Sequence, residues 1–118
     1  MRRLALLLVL ALAGCGDSGT ATVKVTRDHG QRVLLRSDVP AGLTAMQALQ
    51  RRAKVETAYG GRFVVSIEGL ASKPQHDWFY FVNGVLGDRS ATEVRLRDGD
   101  VEWWDYRRWT NPAEVQRP

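Results

Sequence analysis

Several short segments alternate between apolar and polar residues, which is typical of strands with one buried face. Residues 22–26 and 32–36 show this pattern on either side of Asp28-His29-Gly30, and the three segments together predict a hairpin. Residues 63–68 alternate in the same way and end before Gly69, which predicts a third strand.

The second half of the chain carries the strongest strand signals. Residues 78–82 are aromatic or β-branched and precede Asn83-Gly84, a pair that tolerates the positive φ of a tight turn. Residues 94–97 alternate, Asp98-Gly99-Asp100 predicts a turn, and residues 101–106 form the last predicted strand.

Only one segment has helical periodicity. Thr44 is suited to the N-cap position, and Gln47 lies where the partner of a capping box is expected. Helical spacing continues to about residue 56 and gives one modest buried stripe. The apolar positions of this stripe are Ala45, Met46, Ala48, Leu49 and Ala53.

The predicted order is strand, strand, helix, strand, strand, short strand, strand. With one helix and one sheet, both apolar faces are buried when the helix packs across the sheet. The sequence therefore predicts an α+β fold of the β-grasp, or ubiquitin-like, type, with one helix packed across a mixed sheet of about five strands.

Eight of the ten aromatic residues lie between positions 78 and 109. Alternate residues of a strand face opposite sides of a sheet, so each aromatic strand divides into two sets. The set expected in the core beneath the helix is Trp78, Tyr80, Val82, Val101 and Trp103. The set expected on the opposite face, as a candidate ligand or partner surface, is Phe79, Phe81, Trp104 and Tyr106, extended by Arg107 and Trp109. The alternative is that Trp109 and the tail fold back over this face.

The N-terminal segment has the layout of a secretory signal. Met1-Arg2-Arg3 is basic, residues 4–13 are apolar and too few to span a bilayer, and Leu12-Ala13-Gly14-Cys15 contains the only cysteine. This segment resembles a bacterial lipoprotein signal. The resemblance implies cleavage before Cys15, lipidation of Cys15, and a protein anchored to the cell membrane on its extracytoplasmic face. An ordinary cleaved signal or an uncleaved anchor helix are the alternatives.

The pattern divides the chain into four parts. Residues 1–14 are the predicted signal, 15–21 the lipidated cysteine and a flexible tether, 22–109 the β-grasp domain, and 110–118 a polar tail. Removing Arg2 and Arg3 lowers the Lys and Arg count from 17 to 15 against 13 Asp and Glu, a formal charge of +2. A charge this small on an exported protein argues against a nucleic-acid partner.

No catalytic or metal-binding motif is evident in the sequence. His29 and His76 are isolated, and Asp98 and Asp100 lack the further oxygen ligands of a calcium loop. No serine has the context of a nucleophile elbow, and no glycine-rich phosphate loop precedes a helix. We therefore expect a binding protein that is not an enzyme and has no metal site.

Four groups of residues resemble the transcobalamin C-terminal-like β-grasp family, over about residues 22–106. They are Gly42-Leu43-Thr44 with Ala48-Leu49, Val65-Ser66-Ile67-x-Gly69, Trp78-x-Tyr80-x-Val82-Asn83-Gly84, and Leu96-x-Asp98-Gly99-Asp100-Val101-x-Trp103. The resemblance implies the β-grasp fold and makes a cobalamin-like small ligand one expectation. The other expectation is an envelope or transporter protein as partner, with no small ligand and no cofactor.

Overall fold

The computed structural model describes residues 19–111. The predicted signal segment, Cys15 and residues 112–118 of the tail lie outside this range. β1 begins at Thr20, so Thr20 and Ala21 of the predicted tether belong to the sheet.

A five-stranded sheet forms the larger layer. Its strands are β1 (Thr20–Arg27), β2 (Arg32–Pro40), β6 (His76–Val82), β7 (Val85–Leu86) and β8 (Val101–Arg108), in the order β2-β1-β8-β6-β7. The central pair, β1 and β8, is parallel, and the other neighbours are antiparallel. The sheet is therefore mixed, with the first and last strands side by side at its centre.

One helix and a second, smaller sheet lie on the same side of this layer. The helix is α1 (Ala45–Arg52), and the small sheet has the order β3 (Val55–Ala58), β4 (Phe63–Ile67) and β5 (Leu70–Ala71). A one-turn 3₁₀ helix spans Ala91–Glu93. This architecture confirms the predicted α+β class and the helix packed against a mixed five-stranded sheet.

The start of α1 follows the predicted capping box. The Thr44 hydroxyl accepts a hydrogen bond from the Gln47 amide at 3.1 Å, and the Gln47 side chain accepts one from the Thr44 amide at 2.9 Å. Two amides that the helix itself leaves without partners are thereby satisfied.

The end of α1 is earlier than predicted. The helix stops at Arg52 and not near residue 56, because Ala53 is already extended and the next residues form β3. Val55 pairs with Ile67, and Thr57 pairs with Val64 in β4. Both are β-branched residues that favour a strand over a helix, and the pairing that selects this outcome is nonlocal.

The prediction of a strand at residues 94–97 is wrong, since this segment joins neither sheet. Its backbone bonds to the segment before α1 instead of to a sheet edge: Gly42 N donates to Leu96 O, Ala45 N to Val94 O, and Leu96 N to Leu43 O, at 2.7–2.8 Å. This segment fixes the start of the helix over the core.

The core lies between the five-stranded sheet and the layer made by α1 and β4. Its buried members from the sheet include Val23, Val25, Trp78 and Tyr80. Ala45, Met46, Ala48 and Leu49 contribute the buried face of the helix, and Ile67 contributes from β4.

A candidate ligand-binding cavity between the two sheets

The faces of β8 are the reverse of those predicted from the sequence. Trp78 pairs with Tyr106 and Tyr80 pairs with Trp104, and directly paired residues share a face. Trp104 and Tyr106 therefore join the core beneath the helix, where they are 3% and 2% exposed. Trp103, predicted in the core, lies on the opposite face, which we call the outer face.

The outer face is largely covered, so the predicted exposed aromatic surface is not present as proposed. Phe81 and Arg107 lie on this face and are fully or almost fully buried. Phe81 stacks on Trp103 with ring centroids 4.9 Å apart, and the Arg107 guanidinium lies 5.1 Å from the Phe81 ring and 5.5 Å from the Trp103 ring.

Asp105 ties the β1–β2 loop onto this face. Its buried carboxylate accepts hydrogen bonds from the His29 and Gly30 amides, both at 3.0 Å, from the Thr26 hydroxyl at 2.5 Å and from Arg107 Nε at 2.7 Å. A Cβ on Gly30 would lie 3.3 Å from the Trp103 ring. The sequence analysis expected only the tail to reach this face and missed the loop.

The remaining two candidate residues lie near the edges of this arrangement. Phe79 is partly buried on the outer face of β6, opposite Asp105. Trp109 donates from its indole to Asp77 at 2.8 Å and from its amide to Gln75 O at 2.9 Å. Trp109 therefore closes the end of the β6–β8 ladder. The predicted surface is divided among the core, a covered face and a strand end.

A different site is formed along the β6 edge of the large sheet and extends onto its helix side, so Phe79 and Leu86, which belong to the outer face, border it as well. A cavity of about 610 Å³ separates β6 and β8 from β4 and from the segment that follows β7. Aromatic residues from both sheets supply its walls. The apolar and aromatic lining is Phe63, Val64, Trp78, Phe79, Tyr80, Leu86, Ala91 and Trp104.

Hydrogen bonds from the walls fix the aromatic rings that line this cavity. Trp78 donates from its indole to Leu70 O at 2.8 Å, and the Tyr80 hydroxyl donates to Arg89 O. The Tyr80 and Trp104 rings stack with centroids 4.9 Å apart. Burial, with a smaller contribution from Asp88, raises the pKa of Tyr80 to about 12, so its hydroxyl stays a neutral donor at physiological pH.

Gly87 allows the wall segment to approach Tyr80 closely. A Cβ at this position would lie 2.2 Å from Cζ of the Tyr80 ring, a distance at which the wall would have to move. The glycine follows the Asn83-Gly84 hairpin, and no periodic pattern marks it as part of a site. Sequence reasoning therefore missed this half of the cavity.

Paired charges surround the cavity. Arg62 Nη2 lies 2.5 Å from Glu93 Oε2, and Arg89 Nε lies 3.8 Å from Asp88 Oδ1. Each cation thus has an anionic neighbour, and the four charges sum to zero. The site favours an occupant without a large net charge.

Glu102 lies behind this wall and was also missed. It is fully buried on β8, and its Oε2 accepts a hydrogen bond from the Trp104 indole at 2.5 Å. Burial raises its pKa to about 8, an effect that the Trp104 hydrogen bond partly offsets. A carboxyl group therefore sets the orientation of one aromatic wall.

Within residues 19–111, no three His, Cys, Asp or Glu side chains are grouped as a metal ion would require. No helix in the same range is long and apolar enough to cross a membrane.

Comparison with known families gives one match. The model of DUF4430, described as a domain of unknown function, matches residues 42–108, more than half of the chain. The chain belongs to this family. The DUF4430 match includes α1, both walls of the cavity and the last strand. No curated protein matches the chain.

A solved structure shares the fold of this DUF4430 protein. It comes from Ruminococcus gnavus and is described as a "putative metal binding protein". The TM-score is 0.59 at 15% sequence identity, over 79% of this chain and 100% of that chain. At this identity the likeness shows the fold alone.

Proposed function

We propose that this protein is a non-enzymatic binding module that holds a small, uncharged and largely apolar ligand in the cavity between its two sheets. The observation that carries the proposal is the cavity of about 610 Å³ with its aromatic walls. Ligand sites of small molecules are typically concave, about 300–1,000 Å³, and lined by apolar and aromatic side chains with a few polar groups.

A ring-shaped or planar ligand suits these walls best. Trp78, Tyr80 and Trp104 present aromatic rings that are already held by hydrogen bonds or stacking, so little conformational freedom is lost on binding. Trp78 and Tyr80 also belong to the group of residues that resembles the transcobalamin C-terminal-like family. This coincidence keeps a cobalamin-like compound among the ligands to test, although it is larger than the cavity and only one edge of its ring would enter; a small, uncharged ring compound is the first choice.

We further propose that the domain works at the extracytoplasmic face of the cell membrane. The support is the resemblance of residues 1–15 to a lipoprotein signal, with Cys15 as the lipidation site. Because acyl chains on Cys15 would hold the protein at the membrane without a spanning helix, the cavity would collect its ligand next to envelope transporters.

A protein partner is the second candidate, and one observation favours it. Tyr59 and Phe63, at the tip of the β3–β4 hairpin, are 79% and 55% exposed and meet edge to face with centroids 5.6 Å apart. Exposed aromatic side chains of this kind are enriched at protein interfaces. An accessory subunit of an envelope or transporter complex would use this tip without a small ligand.

Tryptophan fluorescence tests the cavity proposal. Trp78 and Trp104 line the cavity, whereas Trp103 and Trp109 do not. We expect a small, uncharged ring compound to change the emission of a Trp103→Phe/Trp109→Phe double variant in a saturable way, and a cobalamin-like compound is compared with it.

A matched pair of substitutions controls this titration. Val64→Phe adds bulk inside the cavity and should weaken binding at least tenfold, while Val85→Phe makes the same change at a 70% exposed position outside it. Equal affinity of the two variants would place the ligand elsewhere. A flat response to all ring compounds, together with co-purification of a membrane protein that is lost on Tyr59→Ala, would favour the second candidate.

A further inference from the structure

One wall of the cavity is the unpaired edge of β6. β8 pairs with β6 from His76 to Val82 on one side. On the other side β7 pairs only with Phe81 and Val82, and Gly87 N adds one bond to Tyr80 O at 2.9 Å. The middle of β6 thus has a strand neighbour on one side only, among the residues that the structure describes.

Hydrogen bonds of the neighbouring residues show where the backbone of Trp78 points. In an antiparallel strand, the N–H and C=O of one residue point to the same side, and those of alternate residues point the same way. His76 exchanges two bonds with Lys73, at 2.8 and 3.0 Å, and Tyr80 O bonds Gly87, all on the side away from β8. Trp78 lies between them, so its N–H and C=O point to this side as well.

The hydrogen bonds of β8 lead to the same conclusion about the direction of the Trp78 backbone. Tyr106, the partner of Trp78, accepts a bond at its carbonyl from the Asp28 amide at 2.9 Å, on the side of β1. Trp78 and Tyr106 are therefore a directly opposed pair that exchanges no backbone hydrogen bonds. The N–H and C=O of Trp78 do not bond to β8. Within residues 19–111, the N–H and C=O of Trp78 and the N–H of Tyr80 form no hydrogen bond with another backbone group.

Building on the proposed function, we propose that the cavity binds an extended, uncharged peptide segment that adds to β6 as an extra strand. Trp78 offers one donor and one acceptor, and Tyr80 offers a second donor two residues along, about 6.6 Å away at about 3.3 Å per residue. An extended backbone presents complementary groups at this period, and added strands are a recurrent mode of peptide recognition.

The surroundings select the chemistry of the segment. Alternate side chains of an added strand would meet the apolar cavity walls at Phe63, Val64 and Leu86. The charges around the cavity balance one another, as those of Arg62 and Glu93 do, so the lining has no excess charge of either sign to attract a charged segment. The preferred occupant therefore has apolar side chains at alternate positions and no net charge.

The test is amide hydrogen exchange on the full-length protein with a capped, uncharged pentapeptide of alternating valine and serine. Saturating peptide should slow exchange at the Trp78 and Tyr80 amides at least tenfold. The Phe79 amide faces β8 and should not change, so it serves as the internal control. Slowing at all three amides, or at none, would overturn the proposal.

Methylated peptides distinguish strand pairing from filling of the cavity. N-methylation of the amides along one edge of the peptide should reduce affinity at least tenfold, while methylation along the other edge should leave it nearly unchanged. An equal effect of both patterns would contradict strand addition. If ring compounds perturb Trp78 and Trp104 but the peptide gives no protection, this inference fails and the cavity proposal stands; if neither ligand perturbs them, the cavity proposal itself fails.

Discussion

Glu102 shows how strongly the chemistry of one residue depends on its surroundings. A glutamate in a strand ordinarily faces water, yet this carboxyl is fully buried between Val23 of β1 and Val82 of β6. Its Oε2 holds the Trp104 indole, and its Oε1 has no hydrogen-bond partner in the described part of the chain. Because a charge there would be poorly solvated, the protonated form is favoured.

The stability of the fold should therefore depend on pH through Glu102. Its pKa is about 8 when folded and 4.5 in the reference state, so between these values the unfolded chain releases a proton that the folded protein keeps. The contribution of Glu102 to the free energy of unfolding is then fully present below about pH 4.5. It falls as pH rises toward 8, by at most about 1.4 kcal/mol per pH unit. Urea unfolding at pH 5, 7 and 9 measures this slope.

Glu102→Gln should remove this dependence, because the amide does not titrate. The variant should gain stability relative to the native protein as pH rises from 5 to 9. Glu56→Gln changes an exposed glutamate of β3 and should leave the slope as it was. An unchanged slope in Glu102→Gln would show that the carboxyl is not the titrating group.

Trp104 and Trp103 are neighbours on β8 with different roles in stability. Trp104 is a buried core residue stacked on Tyr80, and truncating a buried Trp to Ala costs about 3–5 kcal/mol. Trp103 is partly exposed on the outer face, so Trp103→Ala should cost less, about 1–3 kcal/mol. Thermal melts rank the two variants. A larger loss for Trp103→Ala would contradict the register of β6 and β8.

At the level of elements, features that depend on neighbouring residues were predicted correctly, whereas features that depend on pairing between distant strands were not. The capping box at Thr44 depends on residues three positions apart, and it was read correctly from the sequence. The end of α1 depends on Val55 pairing with Ile67, twelve residues away, and was placed too late. The faces of β8 were inverted because each of its two sets contains a tryptophan, so the aromatic residues alone did not distinguish them.

The two sets of β8 differ in where along the strand their charged residues lie. Asp105 and Arg107 follow Trp103 on one face, whereas Trp104 is followed by Tyr106 on the other. Over the whole strand Val101–Arg108 each set contains two charged residues, so their count alone does not choose the buried face. The loop that covers Asp105 could not be foreseen, since it reaches 75 residues along the chain, from Gly30.

The capping box makes a prediction at the level of the helix. Thr44→Ala should lower the free energy of unfolding by about 1 kcal/mol, because the Gln47 amide loses its acceptor. Gln47→Ala should cost less, since it removes only the bond to the Thr44 amide. Gln50→Ala is the control: this residue is exposed on the same helix, and alanine is a good helix former. Denaturant unfolding of the three variants would contradict the capping role if Gln50→Ala lost as much as Thr44→Ala.

At the level of the whole molecule, the order of elements was enough to predict the fold class, although not the second sheet. One helix with several amphipathic strands has few ways to bury its apolar faces, and the β-grasp arrangement is one of them. The cavity depends on the distance that β3, β4 and β5 keep from β6, and no local pattern encodes that distance. A candidate surface could therefore be named from the aromatic residues, while the site itself required the structure.

The lipid anchor is a prediction about where the whole molecule resides. Cys15 precedes β1 and lies outside the described residues, so we expect Cys15→Ala to leave the domain folded. Without the thiol there is no attachment point for acyl chains, each of which contributes about 0.8 kcal/mol of membrane affinity per buried CH₂. The native protein should pellet with membranes, and Cys15→Ala should shift to the soluble fraction of the periplasm or medium, with mass spectrometry of the N-terminus reporting the lipid.

Ser18→Ala, a change in the same segment outside the signal motif, should pellet like the native protein. A Cys15→Ala protein that still pelleted at its full precursor mass would point to an uncleaved anchor helix, and a native protein that carried no lipid would point to an ordinary cleaved signal.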